Sequence, residues 1–145
     1  MYFFNKVNFS DNMYQIRRKD DDFHAEVTCS LHSDIYCENN KFYIDLLFEK
    51  NKFVTEIRSL ENEIENKLNC SLNNKLNEND LLRRVKIPYK YNRVGIHVFD
   101  RHGSKLTSHQ LVTHTQCRIH LLASYVYVHK STGGIVWSIQ KVVVL

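Results

Sequence analysis

Apolar and polar residues alternate with a period of two through most of this chain, and one stretch breaks that rhythm with a helical period. Phe23, Ala25, Val27, Cys29 and Leu31 fall on one side of an extended segment, and Ile44, Leu46 and Phe48 do so between Phe42 and Phe48. Ahead of them, Tyr2 to Phe9 and Met13 to Arg17 read as two short strands joined by a turn at Asp11-Asn12. The run Arg17-Arg18-Lys19-Asp20-Asp21-Asp22 predicts a solvated hairpin tip. Neighbouring carboxylates on a strand point to opposite faces, which argues against a metal site there.

The helical stretch covers about residues 51–69. Phe53, Ile57, Leu60, Ile64 and Leu68 recur at intervals of three and four with Glu and Lys between them, the spacing of one buried helix stripe. The Asn-rich segment from Asn69 to Glu78 predicts a loop, and Asn79-Asp80 predicts the cap of a short helix over Leu81-Leu82-Arg83-Arg84. Pro88 disfavours helix at Ile87, so a strand is expected to restart near Val85.

Beyond it, Val94, Ile96 and Val98 face one way and Gly95, His97 and Phe99 the other, before a turn at Asp100-Arg101-His102-Gly103. Alternation over Cys117 to His129 places Ile119, Leu121, Ala123, Tyr125 and Tyr127 together. Across a turn at Ser131-Thr132-Gly133-Gly134 it places Ile135, Trp137, Ile139, Val143 and Leu145 together. These two form a long hairpin. Six to eight strands flank one long helix, which predicts a mainly β fold in a single domain over 1–145. The specific expectation is an OB-fold-like antiparallel β-barrel, since that barrel also carries a helix between strand groups.

Charge changes the picture more than composition does. The net charge is +4, but residues 1–50 carry −3, residues 51–84 are neutral, and residues 85–145 hold eight Lys/Arg against Asp100 alone, for +7. A basic segment beside an acidic one suggests a polyanionic partner. Nothing approaches the length of apolar chain a membrane span needs, and no leader precedes the first strand, so an intracellular protein is expected. Cys29, Cys37, Cys70 and Cys117 form no C-x-x-C pair and read as reduced thiols.

Catalysis finds little support. The four glycines, Gly95, Gly103, Gly133 and Gly134, make no phosphate-binding or dinucleotide fingerprint, and no nucleophile elbow is present. Eight histidines invite a metal, yet only Cys29/His32 has zinc-knuckle spacing and no second knuckle answers it. No cofactor, no metal and no enzymatic activity are expected. What remains is a basic β segment interleaved with aromatics. Single-stranded nucleic acid is held by that combination, cations tracking phosphates while flat rings stack on bases. Trp137 and Tyr125 read as core, whereas Tyr89, Lys90, Tyr91, Arg93, His97, Phe99, Arg101, Arg118, His120 and Lys141 are the candidate nucleic-acid-binding residues.

At these residues the chain resembles a known family. Val85–Tyr91, Val94–Asp100, Ile119–Val128 and Gly134–Val142, with Trp137 and Gln140 in the closing strand, resemble the C-terminal barrel of single-stranded-DNA-binding proteins of large nucleocytoplasmic DNA viruses. The resemblance covers about 60 residues. It implies structural roles for Gly134 and Trp137, a groove lined by cations and aromatics around Tyr89–Arg101, and a place in replication, recombination or repair. The family's acidic tail has no counterpart here. The competing expectation is a structural or assembly protein, pairing with a protein partner or with copies of itself through the apolar edge Val142-Val143-Val144-Leu145.

Overall fold

The computed structural model describes residues 2–7, 12–19, 21–49, 52–90 and 93–145. In chain order these hold β1 (Phe3–Lys6), β2 (Met13–Arg18), β3 (Asp21–Leu31), β4 (Tyr36–Glu38) and β5 (Lys41–Phe48). There follow α1 (Lys52–Lys67), β6 (Ser71–Leu72), β7 (Leu81–Ile87), β8 (Tyr89–Lys90) and β9 (Arg93–Val94). The chain closes with β10 (His97–Asp100), β11 (Lys105–Leu106), a 3-10 turn over Ser108–Gln110, β12 (Gln116–His129) and β13 (Thr132–Val144). The protein is mainly β with one long helix, as the periodicities predict. The far end of the first expected strand and the Asp11 turn position lie outside the described residues.

Eleven strands form one sheet, and β8 and β9 form a separate ribbon. The sheet is mixed, because β13 pairs in parallel with β6, β7 and β10 while the other pairings are antiparallel. Five strands are joined in a cycle: β3 to β5, β5 to β7, β7 to β13, β13 to β12, and β12 back to β3.

The inner side of these strands and one face of α1 make the core. Phe53, Val54, Ile57, Leu60 and Ile64 are buried on α1, and Phe53 lies 5.8 Å from Phe23, which in turn meets Trp137 edge-on at 6.0 Å. Each such side chain contributes roughly 1.5–3 kcal/mol by leaving water. The helix stops at Lys67, and Asn69 takes a left-handed φ of 50°. Cys70 N–H then reaches back to the Glu65 carbonyl at 3.3 Å, a Schellman-type end that asparagine tolerates.

Four expectations fail, three of them at a bulge or a turn. The predicted short helix over 81–84 is the first half of β7. Arg83 and Arg84 together oppose Asp45 alone between the pairs Ile44–Val85 and Leu46–Leu82, so the helix-like Leu-Leu-Arg-Arg spacing is that of a β-bulge. Arg84 has φ 59°, and its N–H donates to the Asp45 carboxylate at 3.0 Å. Similarly, Ser124 is extra in β12 and Gln140 is extra in β13. Past those bulges the faces exchange: Val126 and Val142 are buried, while Tyr127 and Leu145 are exposed and Val143 is half-buried. Finally, the hairpin turns at Lys130-Ser131, with Lys130 at φ 58°. Gly133 and Gly134 lie inside β13, where they admit the Tyr127 backbone and ring. The expected strand over Val94–Phe99 is also split, with Val94 ending β9 and His97 opening β10.

Candidate nucleic-acid interface

Alternation in β5 and β7 sets the positions of the site. Phe42, Ile44, Val85 and Ile87 turn toward the core, so Lys41, Tyr43, Arg84 and Lys86 turn away from it, with Tyr43 directly opposite Lys86. Across the sheet, Lys86 neighbours Ser138 of β13, and Val136 neighbours Tyr125 of β12. Together they floor a groove of about 1080 Å³. Its walls carry Lys41, Lys75, Arg83, Arg84 and Lys86, and the rings of Tyr43, Tyr89, Tyr125 and Tyr127. No acid is among the described residues that line it.

The far wall, residues 71–77, is held in place by α1. Glu61 and Glu65 accept the backbone N–H groups of Leu76 (2.7 Å) and Leu72 (3.0 Å). Arg58 donates to the carbonyls of Leu76 and Asn77 and to the Asp80 carboxylate at 2.7 Å. The Asn74 amide then stands in for a strand beside β13, donating to Ile135 O at 2.6 Å and accepting from Ile135 N at 3.0 Å. Asn73 Oδ1 accepts from the Tyr127 hydroxyl at 3.3 Å. Helix, loop and sheet therefore fix this wall before any ligand arrives.

Three of the five cations have acidic partners behind the wall: Arg84 with Glu38, Lys75 with Glu65 at 3.0 Å, and Arg83 with Asp45 at 3.8 Å. Among the described residues Lys41 and Lys86 have no ion-pair partner, so their charge is directed to solvent. Asp45 is buried, and it also accepts from the Tyr36 hydroxyl at 2.7 Å. Burial, followed by that contact, holds the Tyr36 phenol well above its ordinary value. Arg84 lies 5.9 Å over the Tyr43 ring, and Tyr89 stacks on Phe42 at 4.5 Å while keeping 42% of its surface exposed.

Of the residues expected from sequence, Tyr89 lines this groove. Five others meet on the adjoining outer face of the sheet, in two rungs. One runs His97–Lys141–His120, the other Phe99–Val143–Arg118. Lys141 Nζ sits 5.4 Å over the Phe99 ring. Arg101 is exposed in the turn after β10, where its Nε donates to His102 Nε2 at 3.3 Å. Lys90 and Arg93 pair across the β8–β9 ribbon, with side chains outside the described atoms, and Tyr91 lies outside the described residues. The expected groove lining around Tyr89–Arg101 is thus divided between two surfaces.

Sequence reasoning passed over Lys41, Tyr43, Lys75, Arg83, Arg84 and, as a site residue, Lys86. The available signal was local: Lys41-x-Tyr43 and Arg84-x-Lys86 occupy the outward positions of strands whose inward positions are apolar. Trp137 is buried, as is Gly134. Cys29 and Cys117 face each other inside the core at 3.9 Å. That contact, together with burial, holds the Cys29 thiol well above its ordinary value and keeps it out of surface chemistry. Among the described residues no group of three or more His, Cys, Asp or Glu is gathered to hold a metal ion, and no helix is long and apolar enough to cross a membrane. The chain matches no protein-family model, no curated protein and no solved structure.

Proposed function

We propose that this protein binds single-stranded nucleic acid, with little sequence preference and without catalysis, in the groove over β5, β7 and β13. The reading rests on one observation: five cations, four tyrosines and no acid among the described residues of a single open groove. Cations follow a phosphate backbone, and each exposed ring offers a base a stacking surface of roughly 1–3 kcal/mol.

The cycle β3-β5-β7-β13-β12 is read here as an OB-type barrel, with β5 and β7 its second and third strands in chain order. That is the face, with the loop before it, on which OB barrels take oligonucleotides, and Asn39 of that loop lines the groove. The resemblance of the last 60 residues to viral single-stranded-DNA-binding proteins supports the same role in replication, recombination or repair. The assembly reading loses its sequence support, because the apolar end of β13 is paired on both sides, by β10 and by β12.

Anisotropy of a labelled oligo-dT, titrated at two salt concentrations, tests the proposal. For single strands the logarithmic salt slope is about −0.7 per neutralised phosphate. Lys41 and Lys86 alone predict about −1.4, and all five cations about −3.5. Absence of binding at low salt, or binding indifferent to salt, refutes it.

A further inference from the structure

On the outer face of the sheet, away from the groove, Lys105 of β11, Phe99 of β10, Val143 of β13 and Arg118 of β12 stand side by side in register. Exposed cations close this row at both ends, and two half-buried apolar side chains fill its middle. Among the described residues neither Lys105 nor Arg118 has an ion-pair partner. The outward positions these four strands contribute around the row carry no acid. Asp100 is turned into its own loop, where its carboxylate accepts the N–H groups of His102 (2.8 Å) and Ser104 (2.9 Å). Glu26 lies one strand further on, opposite His120 in the neighbouring rung. The row is thus an uncompensated pattern of charge, apolar centre and charge, which an anionic partner with an apolar centre complements. Its ring, Phe99, is half-buried beneath the Lys141 ammonium at 5.4 Å, so it gives a nucleic-acid base no stacking surface.

A peptide fits where a base does not. Lys105 and Arg118 are three strand spacings apart, a separation of about 14–15 Å. In an extended peptide residues i, i+2 and i+4 project to one side, and the span from i to i+4 is about 13–14 Å. The flexible stems of Lys and Arg take up the difference. We propose that this face docks an extended acidic peptide of a partner protein, running across β11, β10, β13 and β12. The peptide carries Asp or Glu at i and i+4, opposite Lys105 and Arg118, and an aliphatic residue at i+2 that packs on Val143 and Phe99. Recognition of an acidic motif by fixed cations supplies the charge reading, and the apolar centre fixes which way the chain turns its side chains.

The test titrates the full chain at low salt into two fluorescein-labelled peptides of identical composition, read by anisotropy. In GSESLSESG both acids share a side with the leucine, and in GSSELESSG they point away from it. The first peptide is expected to bind saturably, and the second at least about 5-fold more weakly. Lys105→Glu/Arg118→Glu abolishes binding of the first peptide, whereas Lys41→Glu/Lys86→Glu in the groove leaves it unchanged. One equivalent of oligo-dT leaves the peptide bound. Absence of binding, equal affinity for the two peptides, or binding that survives Lys105→Glu/Arg118→Glu overturns the proposal. Displacement by oligo-dT overturns it too, since the face is then a nucleic-acid surface. Peptide binding by a protein that takes up no oligo-dT removes the groove reading and leaves this one standing. Lys105 and Arg118 are exposed, and matching melting temperatures establish that the variants fold.

Discussion

Glu61 offers the sharpest quantitative test of how the groove wall is built. It is 1% exposed on the inward side of α1, and its carboxylate accepts the Leu76 N–H at 2.7 Å. Burial outweighs that contact and the pull of Lys75 and Arg58, pushing its pKa up to about 6 from an ordinary 4.5. As pH rises from about 4.5 to 6, the unfolded chain has released this proton while the folded chain retains it. Stability therefore falls over that window, and the loss is complete above it. Moving the carboxyl from 4.5 to about 6, at 1.36 kcal/mol per tenfold change in proton affinity, is worth about 2 kcal/mol. Glu61→Gln keeps an acceptor for Leu76 and has no proton to lose. It should match wild type near pH 4 and exceed it by about 2 kcal/mol above pH 7. Urea denaturation of both proteins at a series of pH values measures the difference, in which titrations remote from Glu61 cancel. A difference that stays flat with pH, or a variant less stable at pH 8, would refute the reasoning.

Gly133→Ala should destabilise more than Gly134→Ala, by roughly 1–3 kcal/mol in all. The added methyl at 133 meets the Tyr127 carbonyl oxygen at 2.6 Å, whereas at 134 it meets a tyrosine ring that can swing aside; thermal melts rank the two. Asn74→Ala strips two hydrogen bonds from Ile135 and should cost about 1–3 kcal/mol, read as an earlier urea midpoint with an unchanged slope. Tyr89→Ala should weaken oligo-dT binding about 5- to 150-fold, corresponding to the loss of one base stack, and equal affinity by anisotropy would remove Tyr89 from the interface.

The helix was legible because five residues repeat one angular position, a signal no single residue can blur. The bulges were not, since each rests on one extra residue in a ladder. Yet Asp45 was a visible clue: an acid between Ile44 and Leu46 on an otherwise apolar strand needs donors, and the bulged Arg83-Arg84 supplies them. Charge summed over long segments hid this groove from the sequence. Lys41 belongs to a segment of net charge −3, and Arg83 and Arg84 to a neutral one, but strand pairing gathers them on the same wall as Lys86. The slip at Gln140 likewise moved Lys141 outward, next to His97 and His120 rather than into the core.

Charge reversal on the two basic surfaces decides between them most directly. Lys41→Glu/Lys86→Glu and Arg118→Glu/Lys141→Glu are compared with wild type by oligo-dT anisotropy across a salt series. The account predicts that the groove pair loses most of its low-salt affinity, with a salt slope shallower by at least about 1.4, while the outer-face pair stays within a few-fold of wild type. Unchanged binding by the groove pair, with loss in the outer-face pair, would contradict it.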